Sequence, residues 1–175
     1  MATYTLIAEP LTRDGFAPFG DVIEAAGARH FSINAGAMER FHDLARVDVS
    51  GAEGRAAISI ARCTEPTVPP VRVSLIERHP LGSQAFMPLS DAPFLIVVAP
   101  PGEAIAPSEL KAFVSNGAQG INYHRGVWHV PLMAMQTGQE FIVVDRTGPD
   151  ANCDERELGA TDQILVKLCK GPDLN

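Results

Sequence analysis

Val71-Arg72-Val73-Ser74-Leu75-Ile76-Glu77-Arg78-His79 is the stretch from which the fold is read. Side chains alternate between the two faces of an extended chain, so Val71, Val73, Leu75, Glu77 and His79 fall on one face, and Arg72, Ser74, Ile76 and Arg78 on the other. Two ionisable groups thereby continue an apolar row. Pro80-Leu81-Gly82-Ser83 supplies turn chemistry and Gln84 to Leu89 resumes an apolar run, which predicts a hairpin. Outward from there, Arg55 to Ala61 is acceptable as a strand, and Phe94 to Ala99 (FLIVVA), bounded by Pro93 and Pro100-Pro101, reads as a buried one. Val127 to Met135, Phe141 to Asp145 and Gln163 to Leu168 also read as strands. Ser108 to Val114 is either one helical turn or the approach to a strand, confined by Pro107 and Gly117; Met38 to Val49 mixes both periods. Arg13 to Glu24, with Gly15, Pro18 and Gly20 among apolar residues, is an apolar arm too interrupted for a long helix. Roughly eight to ten short strands with little helix predict an antiparallel sandwich or barrel.

The chain of 175 residues is 46% apolar, which is enough for one domain, residues 1–175, with a substantial core. Lys plus Arg number 14 against 21 Asp plus Glu, a formal charge of −7 that repels a phosphate backbone, so nucleic acid is not an expected partner. No apolar run approaches the roughly 20 residues that span a bilayer. Met1 to Pro10 lacks a basic segment followed by an apolar block, so a soluble cytoplasmic protein is expected, with no membrane partner. Cys63, Cys153 and Cys169 are odd in number and lack Cys-x-x-Cys spacing; they read as reduced thiols. Gly and Pro, 15 and 14, are spread along the chain, as many short elements joined by turns require.

Of the five histidines, His30, His42, His79, His124 and His129, two lie in distinctive strings: Glu77-Arg78-His79-Pro80-Leu81-Gly82-Ser83-Gln84, and Asn122-Tyr123-His124-Arg125-Gly126-Val127-Trp128-His129. Their order and separation resemble the paired motifs of the cupin superfamily. The first is degenerate, with Glu77 for the usual leading His and Gln84 for the usual Glu, whereas the turn ending in His129 fits well. Further blocks make the resemblance more specific: Phe16-Ala17-Pro18-Phe19-Gly20-Asp21-Val22-Ile23, Ile33-Asn34-Ala35-Gly36 with Glu39-Arg40-Phe41-His42-Asp43-Leu44-Ala45, and Phe141-Ile142-Val143-Val144-Asp145-Arg146 with Asn152-Cys153-Asp154. Together these blocks resemble the ureidoglycolate lyase family over almost the whole chain. The resemblance implies an all-β, cupin-like double-stranded β-helix, an antiparallel jelly-roll barrel with an N-terminal arm. It also implies a homodimer that splits ureidoglycolate into glyoxylate and urea in purine and allantoin breakdown. A divalent metal, nickel by resemblance, is implied with Glu77, His79, Gln84 and His129 as its ligand set; no organic cofactor is.

The substrate that the resemblance implies is a hemiaminal, and expelling urea from it requires a base for the hydroxyl proton and an acid for the departing nitrogen. Imidazole serves either role near neutrality. Glu77, His79, His124 and His129 are the candidate catalytic residues: His129 or Glu77 as base, His79 or a metal polarising the oxygen, and His124 assisting nitrogen protonation. Arg40 and Arg125 are candidates for the substrate carboxylate, and Asn34, Gln84 and Asn122 for the ureido group. Asp145-Arg146 reads as an ion pair at a strand end, Trp128 as core, and Phe16, Phe19 and Phe31 as exposed apolar residues available for dimerisation. Two other readings stand beside the lyase: a different metal-dependent cupin enzyme acting on a small carboxylate, and a non-catalytic ligand-binding cupin.

Overall fold

Phe94 to Ala99 is buried at all six positions, because this strand lies between two apolar layers. The computed structural model describes residues 3–158 and 163–169. In chain order the elements are β1 (Thr3–Pro10), a four-residue helix α1 (Arg13–Phe16), β2 (Gly20–Ile23), β3 (His30–Ile33), β4 (Met38–Phe41), β5 (Arg55–Arg62), β6 (Val71–Val73), β7 (Leu75–Arg78) and β8 (Gln84–Pro88). There follow β9 (Phe94–Ala99), β10 (Lys111–Val114), β11 (Gly120–Tyr123), β12 (Trp128–His129), β13 (Met133–Ala134), β14 (Glu140–Thr147), β15 (Asp154–Glu157) and β16 (Gln163–Leu168).

The pairings define the architecture. β7, β8 and β9 pair antiparallel with β12, β11 and β10 respectively, so one run of three strands is wound together with a second run returning along it. On the other side the same three strands pair antiparallel with β15, β14 and β13. This is a double-stranded β-helix. Its walls are the sheet β2-β11-β8-β14-β5 and the sheet containing β15-β7-β12-β9-β10. Between them lie Phe86, Phe94, Ile96, Val98, Phe113, Ile121, Tyr123, Phe141 and Val143. Phe94 meets Phe141 edge to face at 5.2 Å, the arrangement the ring quadrupoles favour. Behind the second sheet, β1 runs parallel to β16, with β6 antiparallel on its far side. Ala8, Val73, Ile164 and Val166 from these strands cover Leu95, Val97 and Ala99. That second layer explains why FLIVVA is continuously apolar rather than alternating.

Several local expectations are corrected. The Val71–His79 row is not one strand: it breaks at Ser74 into β6 and β7, which pair with different partners. Nor do β7 and β8 form a hairpin, since the turn at Pro80–Ser83 carries the chain from one sheet to the other. Val127 to Met135 holds two two-residue strands instead of one long one. Phe16 and Phe19 are not exposed; they are 0% and 5% accessible and close the barrel against Phe113 and Tyr123, while Phe31, on the β3–β4 hairpin, is exposed. Arg146 does not pair with Asp145. Its guanidinium turns to the outer face and donates to the carbonyls of Gly51 and Ala52 at 2.9 and 2.6 Å. Ser108 to Val114 realises both expectations, a 3-10 turn over Pro107–Glu109 leading into β10.

Candidate active site

Glu77 and His129 are direct cross-strand neighbours of β7 and β12, so their side chains rise from the same face of the sheet. The turn before β12 depends on Gly126, whose φ of +74° suits a residue without Cβ; its N–H donates to the His79 carbonyl at 3.0 Å. That bond draws the end of β7 against the start of β12 and brings the two imidazoles together, with ring centroids 5.1 Å apart. The opposite face of these strands is locked separately. Trp128 donates Nε1–H to the Gly102 carbonyl at 2.9 Å, and the guanidinium groups of Arg78 and Arg156 lie 4.8 and 5.0 Å from its ring centroid.

Both imidazoles are oriented by carbonyl acceptors. Nδ1 of His79 donates to the Asn152 carbonyl at 2.6 Å and Nδ1 of His129 to the Val127 carbonyl at 3.1 Å. A carbonyl only accepts, so Nδ1 carries the proton and each Nε2 presents its lone pair inward. Nε2 of His79 and Nε2 of His129 are buried without a hydrogen-bond partner among the described residues. Glu77 Oε1 stands 3.4 Å from the His129 Nε2 and 3.9 Å from that of His79. Three electron pairs thus converge on one point, an arrangement that a donor or a divalent metal would satisfy.

The electrostatics follow from burial. His129 is 1% exposed, and its desolvation holds its pKa below the usual imidazole value despite the Glu77 carboxylate. The His129 imidazole, its Nε2 3.4 Å from the carboxylate, holds Glu77 below the ordinary carboxylate range, overcoming the opposing effect of its own burial. Cys153 places its Sγ 3.8 Å from Glu77 Oε2; burial, then the Glu77 charge, pushes this thiol up, which makes it a protonated neighbour and not a nucleophile.

Glu77, His79 and His129 offer ligand atoms that all lie within 4.8 Å of one another. Imidazole Nε2 atoms whose Nδ1–H groups are held by carbonyls, facing one carboxylate, are the donor set and outer support that bind a divalent transition metal. The residues present therefore fit such an ion.

The remaining expected site residues are dispersed. Gln84 joins the barrel's inner face, directly opposite Tyr123, whose ring stacks on His129 at 4.0 Å and 13°. His124 and Asn122 lie on the outer face instead, both held by Asp21: His124 Nε2 at 3.2 Å from Oδ1, and the Asn122 amide donating to Oδ2 at 2.9 Å. Arg125 pairs with Asp48 at 2.8 Å, and with Arg46, Ser83 and His124 it lines a shallow outer pocket. Asn34 and Arg40 lie on the exposed β3–β4 hairpin. Three residues went unanticipated: Tyr123, Asn152, whose side chain also caps the Leu81 N–H at 2.7 Å, and Asp145. Alternation of Phe141, Val143 and Asp145 was the available signal for the last of these.

A double-stranded β-helix with imidazoles and a carboxylate turned inward defines a cupin-type small-molecule site. The family model described as ureidoglycolate lyase matches residues 3–165, and the chain belongs to that family. It is 56% identical over 162 residues to a ureidoglycolate lyase of Pseudomonas syringae pv. tomato, and 51% identical over 162 residues to one of Pseudomonas aeruginosa. Each alignment covers 93% of this chain and 95% of the relative. Among solved structures, a TDP-quinovose 3,4-ketoisomerase from Campylobacter jejuni gives a TM-score of 0.41 at 14% identity, covering 74% of this chain and 86% of that one. That likeness is too slight to bear on the fold, which rests on the strand pairing.

Proposed function

We propose that this chain cleaves the carbinol C–N bond of ureidoglycolate to give glyoxylate and urea, at the cluster of Glu77, His79 and His129. Membership of the family supports the reaction. The observation that carries the site is the convergence of two unsatisfied Nε2 lone pairs on one carboxylate oxygen inside the barrel.

Neutral His129 takes the hydroxyl proton at Nε2, and the imidazolium so formed is stabilised by the Glu77 carboxylate 3.4 Å away. The O–H bonding pair becomes the second C=O bond of glyoxylate as the C–N pair leaves with the ureido nitrogen. His129 then returns the proton to that nitrogen, so urea departs neutral and the residue is regenerated. His79, held by Asn152, keeps its own Nε2 free to accept a hydrogen bond from the substrate. His124 has no part in this scheme, because its imidazole is engaged by Asp21 on the far side of the sheet. Alternatively, Glu77, His79 and His129 would hold a divalent metal, nickel by family resemblance, which would engage both Nε2 lone pairs and supply Lewis acidity at the hydroxyl oxygen in place of proton transfer to His129. Gln84, also expected as a ligand, is assigned to substrate.

The same reading takes residues 1–175 as one catalytic unit working in the cytoplasm, in allantoin breakdown, as a homodimer. Exposed Ile58 and Ile60 on the edge strand β5, and Phe31 and Met38 on the hairpin, are apolar surfaces available to a second copy. Arg40 and Arg125 remain the candidates for the substrate carboxylate.

Incubation of the purified protein with ureidoglycolate should release urea and glyoxylate in equal amounts, and His129→Ala should lower kcat by about 10²-fold or more. Ammonia as the nitrogen product, or a folded His129→Ala variant with unchanged turnover, would overturn the proposal.

A further inference from the structure

Beyond the three converging groups, one more buried polar atom of the barrel's inner face has no partner among the described residues: Gln84 Oε1. Gln84 lies on β8 between two cross-strand neighbours. On one side is Tyr123, stacked on His129. On the other is Asp145, because β14 pairs with β8 at Val144 and Ala85 and the antiparallel register places the next residue, Asp145, opposite Gln84. Phe141 and Val143 on the same strand are core residues, so alternation turns Asp145 inward as well. Its Oδ2 accepts from Gln84 Nε2 at 3.5 Å. A polar belt therefore runs around the barrel wall from Asp145 through Gln84, Tyr123 and His129 to Glu77.

Resting on the ureidoglycolate reading, we infer that Asp145 fixes the Gln84 amide so that its carbonyl faces the bound ligand as an acceptor for the terminal ureido N–H₂, making the pair the determinant of specificity for ureido substrates. A carboxylate can only accept, so it selects the amide orientation in which Nε2 faces it; the flipped amide would set carbonyl against carboxylate. The orientation left over presents a buried acceptor that no described residue satisfies, and such an acceptor favours the arrival of a donor. The ureido group differs from an N-acyl group in ending in a pair of N–H donors. A site built to hydrogen-bond a substrate N–H rejects the analogue that lacks it, because its own acceptor is then stranded. Asp145 does not touch the ligand; it is a positioning residue acting through Gln84.

The test compares two stable carboxylates as competitive inhibitors of the full-length protein: hydantoate, which ends in a ureido –NH₂, and N-acetylglycine, which has a methyl group there. In the wild type hydantoate should bind about tenfold more tightly or better, the equivalent of one hydrogen bond to a buried acceptor. Asp145→Leu should bring the two inhibition constants to within about twofold of one another by releasing the amide. Asp145→Asn, which can still accept from Nε2, should retain most of the preference; a purely structural role for Asp145 would not produce that split. If Asp145→Leu does not fold, Gln84→Leu removes the acceptor directly and should erase the same preference. A wild-type ratio near one, or a preference that survives in Asp145→Leu or in Gln84→Leu, overturns the inference. Failure of the wild type to form urea from ureidoglycolate overturns the parent reading instead, and the inhibitor ratio remains interpretable without turnover.

Discussion

His129 converts acid into a measurable loss of stability, and the sign and size of the effect can be worked from its surroundings. Its ring is 1% exposed, faced by Glu77 and His79 and stacked under Tyr123. Burial holds its folded pKa below the ordinary value, the His79 charge acts in the same direction, and Glu77 opposes both without prevailing. In the unfolded chain this imidazole takes up a proton as the pH falls through about 6.5, while in the folded protein it does so only at lower pH. Over that window the unfolded state binds more protons, so stability must decrease as the pH decreases. The limiting slope is about 1.4 kcal/mol per pH unit for one proton, and the onset near 6.5 bounds the loss between pH 7.5 and 5.5 at about 1.4 kcal/mol. The perturbation is His129→Gln, which keeps a polar side chain and removes the titration. Urea denaturation of both proteins, with chelator present to exclude metal, should show the wild type losing more stability than the variant over these two units, by up to that amount. Equal pH dependence in the two proteins would refute the claim that His129 is buried neutral. Glu77, held low by His129, contributes in a separate window: its stabilisation is present above the usual carboxylate pKa and is lost as pH falls through its lower folded value.

Three further outcomes are expected. Gly126→Ala, at φ +74°, should lower stability by about 1 kcal/mol or more by straining the turn that joins β11 to β12, read as a drop in Tm; an unchanged Tm would remove the turn from the account. Cys153 should react with iodoacetamide more slowly than a free thiol at pH 7.5, because burial and Glu77 raise its pKa, and faster labelling would contradict that environment. Ile58→Asp combined with Ile60→Asp should shift the sedimentation coefficient from dimer to monomer if β5 is the dimer face, whereas an unaltered dimer would place the interface elsewhere.

Much of the barrel was legible because strands announce themselves locally. Phe141–Asp145 and Gln163–Leu168 alternate or run apolar between turn residues, and both are strands. The hairpin between β7 and β8 was misread because a Pro-Leu-Gly-Ser turn looks the same whether the strands it joins pair with each other or enter opposite walls. The site divided in the same way. Glu77, His79 and His129 stood out by type and spacing, whereas Asn122 and His124 were chosen from the same string although they flank the inward residue, Tyr123. Which face of a strand is inside depends on where its sheet lies, and a one-residue error exchanges the two sides completely.

Composition, strand periodicity and the ordered family blocks determined the class of this protein from its sequence alone, since each is a property of residues close together in the chain. Tertiary structure decided which buried acceptors have no partner among the described residues: Nε2 of His79 and His129 and Oε1 of Gln84 on the barrel's inner face, and Oδ1 of Asn122 on the outer one. The reason is physical. A lone pair counts as stranded only once every neighbour it has in space is known, and here those neighbours, Asn152, Val127 and Asp145, are fixed by folding and in two of the three cases lie more than sixty residues away.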